Sequence, residues 1–331
     1  MVKNLKKLLV LSSILVLISS ASSFADMNIS RISGRDRYET ALKVSQANFE
    51  DAEYVIIASG EKYPDAVFGG SLASQTKSPI LLVKKNNIPV GVIEEIKRLN
   101  PKMILLLGGE DTISEEVLTK IQKNTTIKVF RISGKNRIET ADEINSFRDI
   151  YAGIEDEFSE GVTRHYFIAV NAYNFYDALY SAPYFGLIGV DIPNSEKKLN
   201  LYLCAAKPVV EDYDYGGVIG DIKVNNYEGY MNITKGRNKY ETSTKIAERF
   251  KKYVNTNMDT VIITSGDDYP DGLSSSGLVG TKLAPIILTP NNSMDKYVKK
   301  FIKNNNIEKV IIVGGEESVS KNVENELRNL K

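Results

Sequence analysis

The chain has one cysteine, Cys204, and one histidine, His165, in 331 residues. One cysteine excludes an intramolecular disulfide. Its setting, Leu201-Tyr-Leu-Cys204, reads as a buried core thiol and not as a nucleophile. One histidine leaves almost no material for a His-based triad, a facial metal triad or a His-Glu-x-x-His zinc site. Beside Arg164 and Tyr166 at a strand start, it reads as structural. No Gly-x-Ser-x-Gly nucleophile elbow is present. Gly272 and Gly277 have the glycine spacing of a phosphate loop, but Leu278 stands where that loop needs lysine. These absences call for no cofactor and no metal. Net charge is also lacking, with 42 Lys+Arg against 42 Asp+Glu. Such a chain has no overall field to draw in nucleic acid or a membrane surface, so an anion site would have to be a local patch.

Long apolar runs are absent after the first 25 residues. Lys3, Lys6 and Lys7 precede the apolar stretch Leu8 to Ile18, and Ser23-Phe-Ala25 offers small residues where a signal peptidase reads. This predicts a signal peptide over 1–25, export, and no membrane attachment after its removal, since the run is too short for a permanent span. The mature chain would hold 39 basic against 42 acidic residues. It is long enough to bury a substantial core without staples.

What is present is a repeat. Arg31-Ile-Ser-Gly-Arg-Asp-Arg-Tyr-Glu-Thr40 returns as Arg131-Ile-Ser-Gly-Lys-Asn-Arg-Ile-Glu-Thr140 and, worn, as Ile233-Thr-Lys-Gly-Arg-Asn-Lys-Tyr-Glu-Thr242. The glycines Gly34, Gly134 and Gly236 are 100 and 102 residues apart, a period of one small domain per copy. Each copy ends an apolar run, turns at glycine, and then sets Asp36, Asn136 or Asn238 three residues before a glutamate. That is a capping box opening a helix. Cations bracket each cap: Arg35 and Arg37, Lys135 and Arg137, Arg237 and Lys239. Cations at a helix N-terminus oppose its dipole, so an anion should lie near. An aspartate recurs downstream in each copy, Asp65, Asp177 and Asp271, and these are ion-pair candidates for Arg37, Arg137 and Lys239. Arg35, Lys135 and Arg237 stay open to an external ligand.

After the helix, β-branched runs alternate with helices. In the first copy they are Tyr54 to Ala58, a small-residue helix from Ala66 to Gln75, Pro79 to Val83, a helix from Pro89 to Leu99, Met103 to Gly109 and a helix to about Lys123. The third copy follows the same order with Thr260 to Thr264, Pro285 to Leu288 and Val310 to Gly315. The middle copy is degenerate: Asn174-Phe-Tyr-Asp177 replaces Tyr-Pro-Asp, and Leu199 to Leu203 stands where the third strand belongs. Strands alternating with helices predict an α/β fold with mostly parallel sheets. The domain reading is a signal at 1–25 and repeats at 26–127, 128–228 and 229–331. The strand at Asn28 to Ile32 could belong to the first repeat or close the third sheet.

The motif at 31–41, with Tyr-Pro-Asp at 63–65, Pro-Ile-Leu-Leu at 79–82 and Leu-Leu-Gly-Gly at 106–109, resembles the type 2 cell wall binding repeat (CWB2) of clostridial surface proteins. The resemblance covers the mature chain as three copies. It implies Rossmann-like or Toprim-like modules in a pseudo-threefold arrangement. It also implies non-covalent anchoring to an anionic glycopolymer of a Gram-positive wall, with surface-layer proteins as possible partners. By position it assigns polymer contact to Pro79, Ile80, Leu81 and Leu82 and to Pro285, Ile286, Ile287 and Leu288, and its basic groove residues are matched here by Arg35, Arg37, Lys135, Arg137, Arg237 and Lys239. Read as residues alone, Ile80 to Leu82 are core strand positions. The alternatives are a wall hydrolase of the N-acetylmuramoyl-L-alanine amidase type, which would need acids such as Asp267, Asp271 and Glu316 to converge, and a structural surface-layer component.

Overall fold

The structure is a computed structural model and describes residues 27–152, 167–191, 198–200, 202–211, 214, 216–229 and 232–330. The expected signal peptide, His165 and the acidic insert at 155–160 lie outside the described residues. The chain opens with β1 (Asn28–Ile32), α1 (Arg37–Asn48), β2 (Tyr54–Ser59), α2 (Gly69–Gln75), β3 (Ile80–Val83), α3 (Val92–Leu99), β4 (Met103–Leu107), α4 (Glu115–Thr125) and β5 (Val129–Ile132). The middle part holds α5 (Arg137–Ala152), β6 (Phe167–Asn171), α6 (Tyr176–Phe185), β7 (Gly189–Asp191), β8 (Lys198–Asn200), β9 (Tyr202–Ala206), β10 (Val209–Glu211), β11 (Gly217–Ile219), β12 (Lys223–Asn225) and β13 (Asn232–Thr234). The last part holds α7 (Lys239–Tyr253), β14 (Thr260–Ser265), α8 (Pro270–Ser274), α9 (Ser276–Lys282), β15 (Ile286–Thr289), α10 (Lys296–Asn304), β16 (Lys309–Val313) and α11 (Lys321–Arg328).

Three four-stranded sheets result, in the orders β3-β2-β4-β5, β9-β6-β11-β13 and β15-β14-β16-β1. Every pairing within them is parallel. The runs that looked doubly buried are so: β3 is fully buried, and β2 and β4 are buried beyond their first residue. Parallel strands covered on both faces need this continuous hydrophobicity. Pro79 and Pro285 are buried just ahead of the edge strands β3 and β15, where a missing N–H breaks no ladder bond. The degenerate middle copy departs most. Residues 198–206 divide into β8, which pairs antiparallel with β7, and β9, which joins the parallel sheet.

The sheets are closed by a handover. Strand β5 carries Arg131-Ile132 and finishes the first sheet, yet the chain then turns at Gly134 and opens α5 against the second. Strand β1 carries Arg31-Ile32 and pairs with β16, from Asn28↔Lys309 to Ile32↔Val313. The first strand therefore closes the third sheet, and the ring of modules is completed by residues from opposite ends of the chain.

The small-residue helices α2 and α9 pack with α6 and α8 where the modules meet. Ser74 Oγ donates to Pro183 O at 2.7 Å across this junction. A Cβ at Gly280 would overlap the Ser74 carbonyl oxygen, and one at Gly277 would overlap that of Ser78. The glycines and serines are thus contact residues, and the helices meet backbone to backbone. One continuous apolar core, from Ala41 to Leu327, runs through all three sheets, with a small satellite around Val210 and Val218.

Replacing a helical glycine by alanine ordinarily stabilises by about 0.5–1 kcal/mol. Gly280→Ala is expected to do the reverse, by about 1–3 kcal/mol, because the added methyl meets backbone that cannot yield. Urea unfolding of wild type and variant measures the sign. A stabilised Gly280→Ala would refute the close approach.

Candidate functional site

The motif loops are built alike. Asp36 accepts from the amides of Tyr38 and Glu39. Asn136 accepts from Ile138 and Glu139, and Asn238 from Glu241. The glutamate reaches back to the residue before the cap: Glu39 takes the Arg35 amide at 2.9 Å and Glu139 the Lys135 amide at 2.9 Å. The hydroxyls of Thr40, Thr140 and Thr242 accept from the amides of Gly34, Gly134 and Gly236 at 2.9, 3.1 and 3.0 Å. A side chain at Gly34 would come within 2.5 Å of Glu39, so glycine is required by close approach.

The cation at the first helical residue turns inward. Arg37 Nη1 donates to Gly60 O at 2.7 Å, Arg137 Nη1 to Ala172 O at 3.1 Å and Lys239 Nζ to Gly266 O at 2.6 Å. Each carbonyl lies just past the first strand of the module whose helix the cation opens. Arg37 also pairs with Asp268 at 3.0 Å, reaching from the first module to the third. Lys239 pairs with Asp267 at 3.0 Å and lies 5.5 Å from the centre of the Tyr176 ring. Arg137 stacks on Tyr173 at 4.9 Å. Arg37 and Lys239 thus reach into a neighbouring module while Arg137 stays within its own, and none of the three takes the aspartate expected of it.

Asp65, Asp177 and Asp271 serve another contact. Asp65 accepts from Thr112 Oγ1 at 2.7 Å, Asp177 from the Asp221 amide at 2.9 Å and from Tyr180, and Asp271 from Ser318. All three press on the glycine that ends the third strand of the module, Gly108, Gly220 or Gly314, each with positive φ. A side chain there would be strained and would strike the carboxylate. The Tyr-Pro-Asp and Gly-Gly signatures are therefore two halves of one contact, and the three aspartates correct the ion-pair assignment. Burial pushes the carboxyls of Asp177 and Asp271 up.

The residue before each Pro-Asp or Tyr-Asp pair meets its counterparts on the pseudo-threefold axis. Ring centroids are 5.9 Å apart for Tyr63 and Phe175, 6.1 Å for Tyr63 and Tyr269, and 6.3 Å for Phe175 and Tyr269. Tyr63 donates to Tyr173 O at 3.0 Å and Tyr269 to Ser59 O at 3.1 Å, each into the neighbouring module. Phe175 has no hydroxyl to continue the ring. The equivalence of Phe175 with the tyrosines was readable from the Asp177 spacing.

A second missed group is the arginine that opens the motif. Arg131 Nη1 donates to Gly108 O at 2.8 Å and Ile113 O at 2.9 Å, and its Nη2 pairs with Glu115 at 3.1 Å. Arg31 repeats this with Gly314 O and Val319 O, both at 2.8 Å, and Glu324 at 3.1 Å. In the middle module the position is Ile233, which is exposed.

Facing solvent are Arg35, Lys135 and Arg237. Arg35 is 92% exposed and pairs with Glu39 at 2.7 Å, which holds that carboxyl down at about 2. Arg237 donates to Tyr297 Oη at 2.9 Å. By contrast Pro79 to Leu82 and Pro285 to Leu288 are buried, with Ile80, Leu81, Leu82, Ile286, Ile287 and Leu288 all at most 1% exposed. Their side chains form sheet core and are out of a polymer's reach, which corrects the contact role that the resemblance assigned them. Asp267, Asp271 and Glu316 take separate partners, Lys239, Ser318 and Lys321. Among the described residues no group of three His, Cys, Asp or Glu is placed to hold a metal.

The family model for cell wall binding domain 2 (CWB2) matches residues 31–118 and 234–324, together more than half of the chain. The chain is 26% identical over 316 residues to the N-acetylmuramoyl-L-alanine amidase LytC of Bacillus subtilis (strain 168), covering 93% of this chain and 60% of that protein. It is 26% identical over 362 residues to the amidase enhancer of the same organism, covering 98% of this chain and 48% of that one. The chain thus spans only part of the curated relatives it matches. Among solved structures, Cwp6 from Clostridium difficile aligns with a TM-score of 0.72 at 22% identity, over 92% of this chain and 48% of that one. Cwp8 aligns at 0.69 and 22%, over 98% and 55%.

Two outcomes are expected. Arg131→Lys should destabilise nearly as much as Arg131→Ala, by about 1–3 kcal/mol, because two carbonyls and a carboxylate need a planar fork; chemical denaturation compares them. Asp271 binds its proton more tightly folded than unfolded, so its contribution to stability falls as pH rises from about 4 through its raised folded value. Asp271→Asn should remove that part of the slope, seen as a difference between stability–pH curves.

Proposed function

Since the chain belongs to the cell wall binding domain 2 family, we propose that it anchors non-covalently to a Gram-positive wall by holding an anionic secondary polysaccharide at its motif loops. The observation that carries this reading is the set of three equivalent outward cations, Arg35, Lys135 and Arg237, each beside an internal one already committed to structure. Charge-assisted bonds to phosphate or carboxylate groups suit such positions. Each site is weak alone. Three on one rigid body bind a repeating polymer with avidity, because the later contacts are intramolecular. The mature chain is exported and acts at the cell surface in this reading.

A hydrolytic reading rests on the likeness to LytC, and a surface-layer role would rest on self-association without wall. One experiment separates them. Purified sacculi are offered to the chain before and after mild acid removal of secondary polymers. Retention is expected on intact sacculi only, falling with salt. Arg35→Gln, Lys135→Gln and Arg237→Gln together should lower it by roughly tenfold or more. Binding that survives stripping would sink the anionic-polymer reading, and release of soluble muropeptides would establish the hydrolytic one.

A further inference from the structure

The outer face of the third module concentrates a charge that the rest of the chain lacks. Helices α7 and α10 lie side by side and run the same way. Asn238 Nδ2, at the start of α7, donates to Asp295 Oδ2, at the start of α10, at 3.0 Å. Near their far ends Lys251 Nζ donates to Asn305 Oδ1 at 3.1 Å. Helix α10 holds Lys296, Lys299, Lys300 and Lys303 and no acid. The i, i+3, i+4, i+7 spacing sets them on one stripe, opposite the buried Val298, Phe301 and Ile302. Helix α7 adds Lys245, Arg249, Lys251 and Lys252, besides the inward-turned Lys239, against Glu241 and Glu248. Together the two helices carry nine cations and two anions. Their counterparts in the first module, α1 and α3, carry four cations and three anions.

Helix stability does not account for this. Lysines near a C-terminus favour the dipole, but Lys296 is the first residue of α10 and opposes it. The pairs Lys296–Lys300 and Lys299–Lys303 set like charges four apart, which disfavours the helix. Internal pairing does not account for it either. Lys299 pairs with Glu326 at 3.0 Å, whereas Lys296, Lys300, Lys303, Arg249 and Lys252 are exposed and none has a carboxylate within 4.0 Å among the described residues. The stripe also continues a proposed contact, because the Arg237 guanidinium lies 5.8 Å from the Tyr297 ring of α10.

We propose that the α7–α10 face is a second docking surface, for a linear phosphate-bearing polyanion, entered from Arg237 and running over Lys296, Lys300 and Lys303. It rests on the reading that the chain's ligand is an anionic polymer, and it names where the longest contact is made. Lysines act as mobile point charges, so this face selects for charge density and not for the shape of a sugar. Over Lys296 to Lys303 the helix rises on the order of 10 Å, a length that spans several charges of such a polymer.

The test uses the full chain and labelled long-chain inorganic polyphosphate, with anisotropy read at several salt concentrations. Lys296→Gln, Lys300→Gln and Lys303→Gln combined should weaken binding by about tenfold or more at low salt, and lower the slope of log affinity against log salt by about 2. These side chains are exposed, so thermal unfolding of the variant should match wild type. Wild-type affinity in the triple variant overturns the proposal. So does a lysine-dependent preference for anionic lipid vesicles over polyphosphate. No wall enters this assay, so its outcome is separable from the sacculus experiment. Lysine-dependent polyphosphate binding without sacculus retention would leave this face standing and the wall reading fallen. Intact retention with an unaffected triple variant would do the opposite.

Discussion

Each sheet of this protein depends on a strand whose chain leaves at once for the next module. Strand β5 finishes the first sheet and β1 the third, and both turn through a glycine so crowded by the following glutamate that no side chain fits. This handover fixes the rest. The helix after the turn lands against the neighbouring sheet, its first cation reaches the carbonyl past that sheet's first strand, and the opening arginine of the motif is left behind to hold the loop of the sheet it closed. One ten-residue motif thus works on two modules, which is why its residues pull in two directions along the sequence.

Much of this was legible as pattern. The β-branched runs, capping boxes and alternation gave parallel α/β modules, because doubly covered strands and capped helices have local signatures. Partners distant in sequence were not legible. Nothing local says that Asp65 belongs to Gly108 and Thr112 and not to Arg37, since both are carboxylate-sized contacts at similar separation in sequence. Nor does Pro-Ile-Leu-Leu say whether its conspicuous repetition marks a surface or a core; burial decides it. Arg31 and Arg131 were read as part of a strand and proved to be clamps, a role visible only once two loop carbonyls and a carboxylate converge. The wear of the middle copy was visible as missing letters, Ile233 for arginine and Phe175 for tyrosine. Its physical meaning is a loop without a clamp and an axis with two hydroxyl bonds across modules in place of three.

The cations divide by depth. Arg37, Arg137 and Lys239 are spent on backbone carbonyls, whereas their companions Arg35, Lys135 and Arg237 face solvent. A balanced chain can therefore present positive charge where its loops and its last module face outward without becoming a generally sticky protein.

The pairing of β1 with β16 also sets how the molecule answers a pull. Tension entering before β1 acts on that strand's amino end, and tension leaving after α11 acts on the carboxyl end of β16. The strands are parallel and matched over five residues, so the load runs along them and strains the ladder bonds all at once. Strands pulled apart at a shared end yield one bond at a time; these do not. Arg31 adds a side-chain tie to Glu324 of α11 on the same line of force. Tension applied on either side of the β1–β16 pair would load that seam in shear.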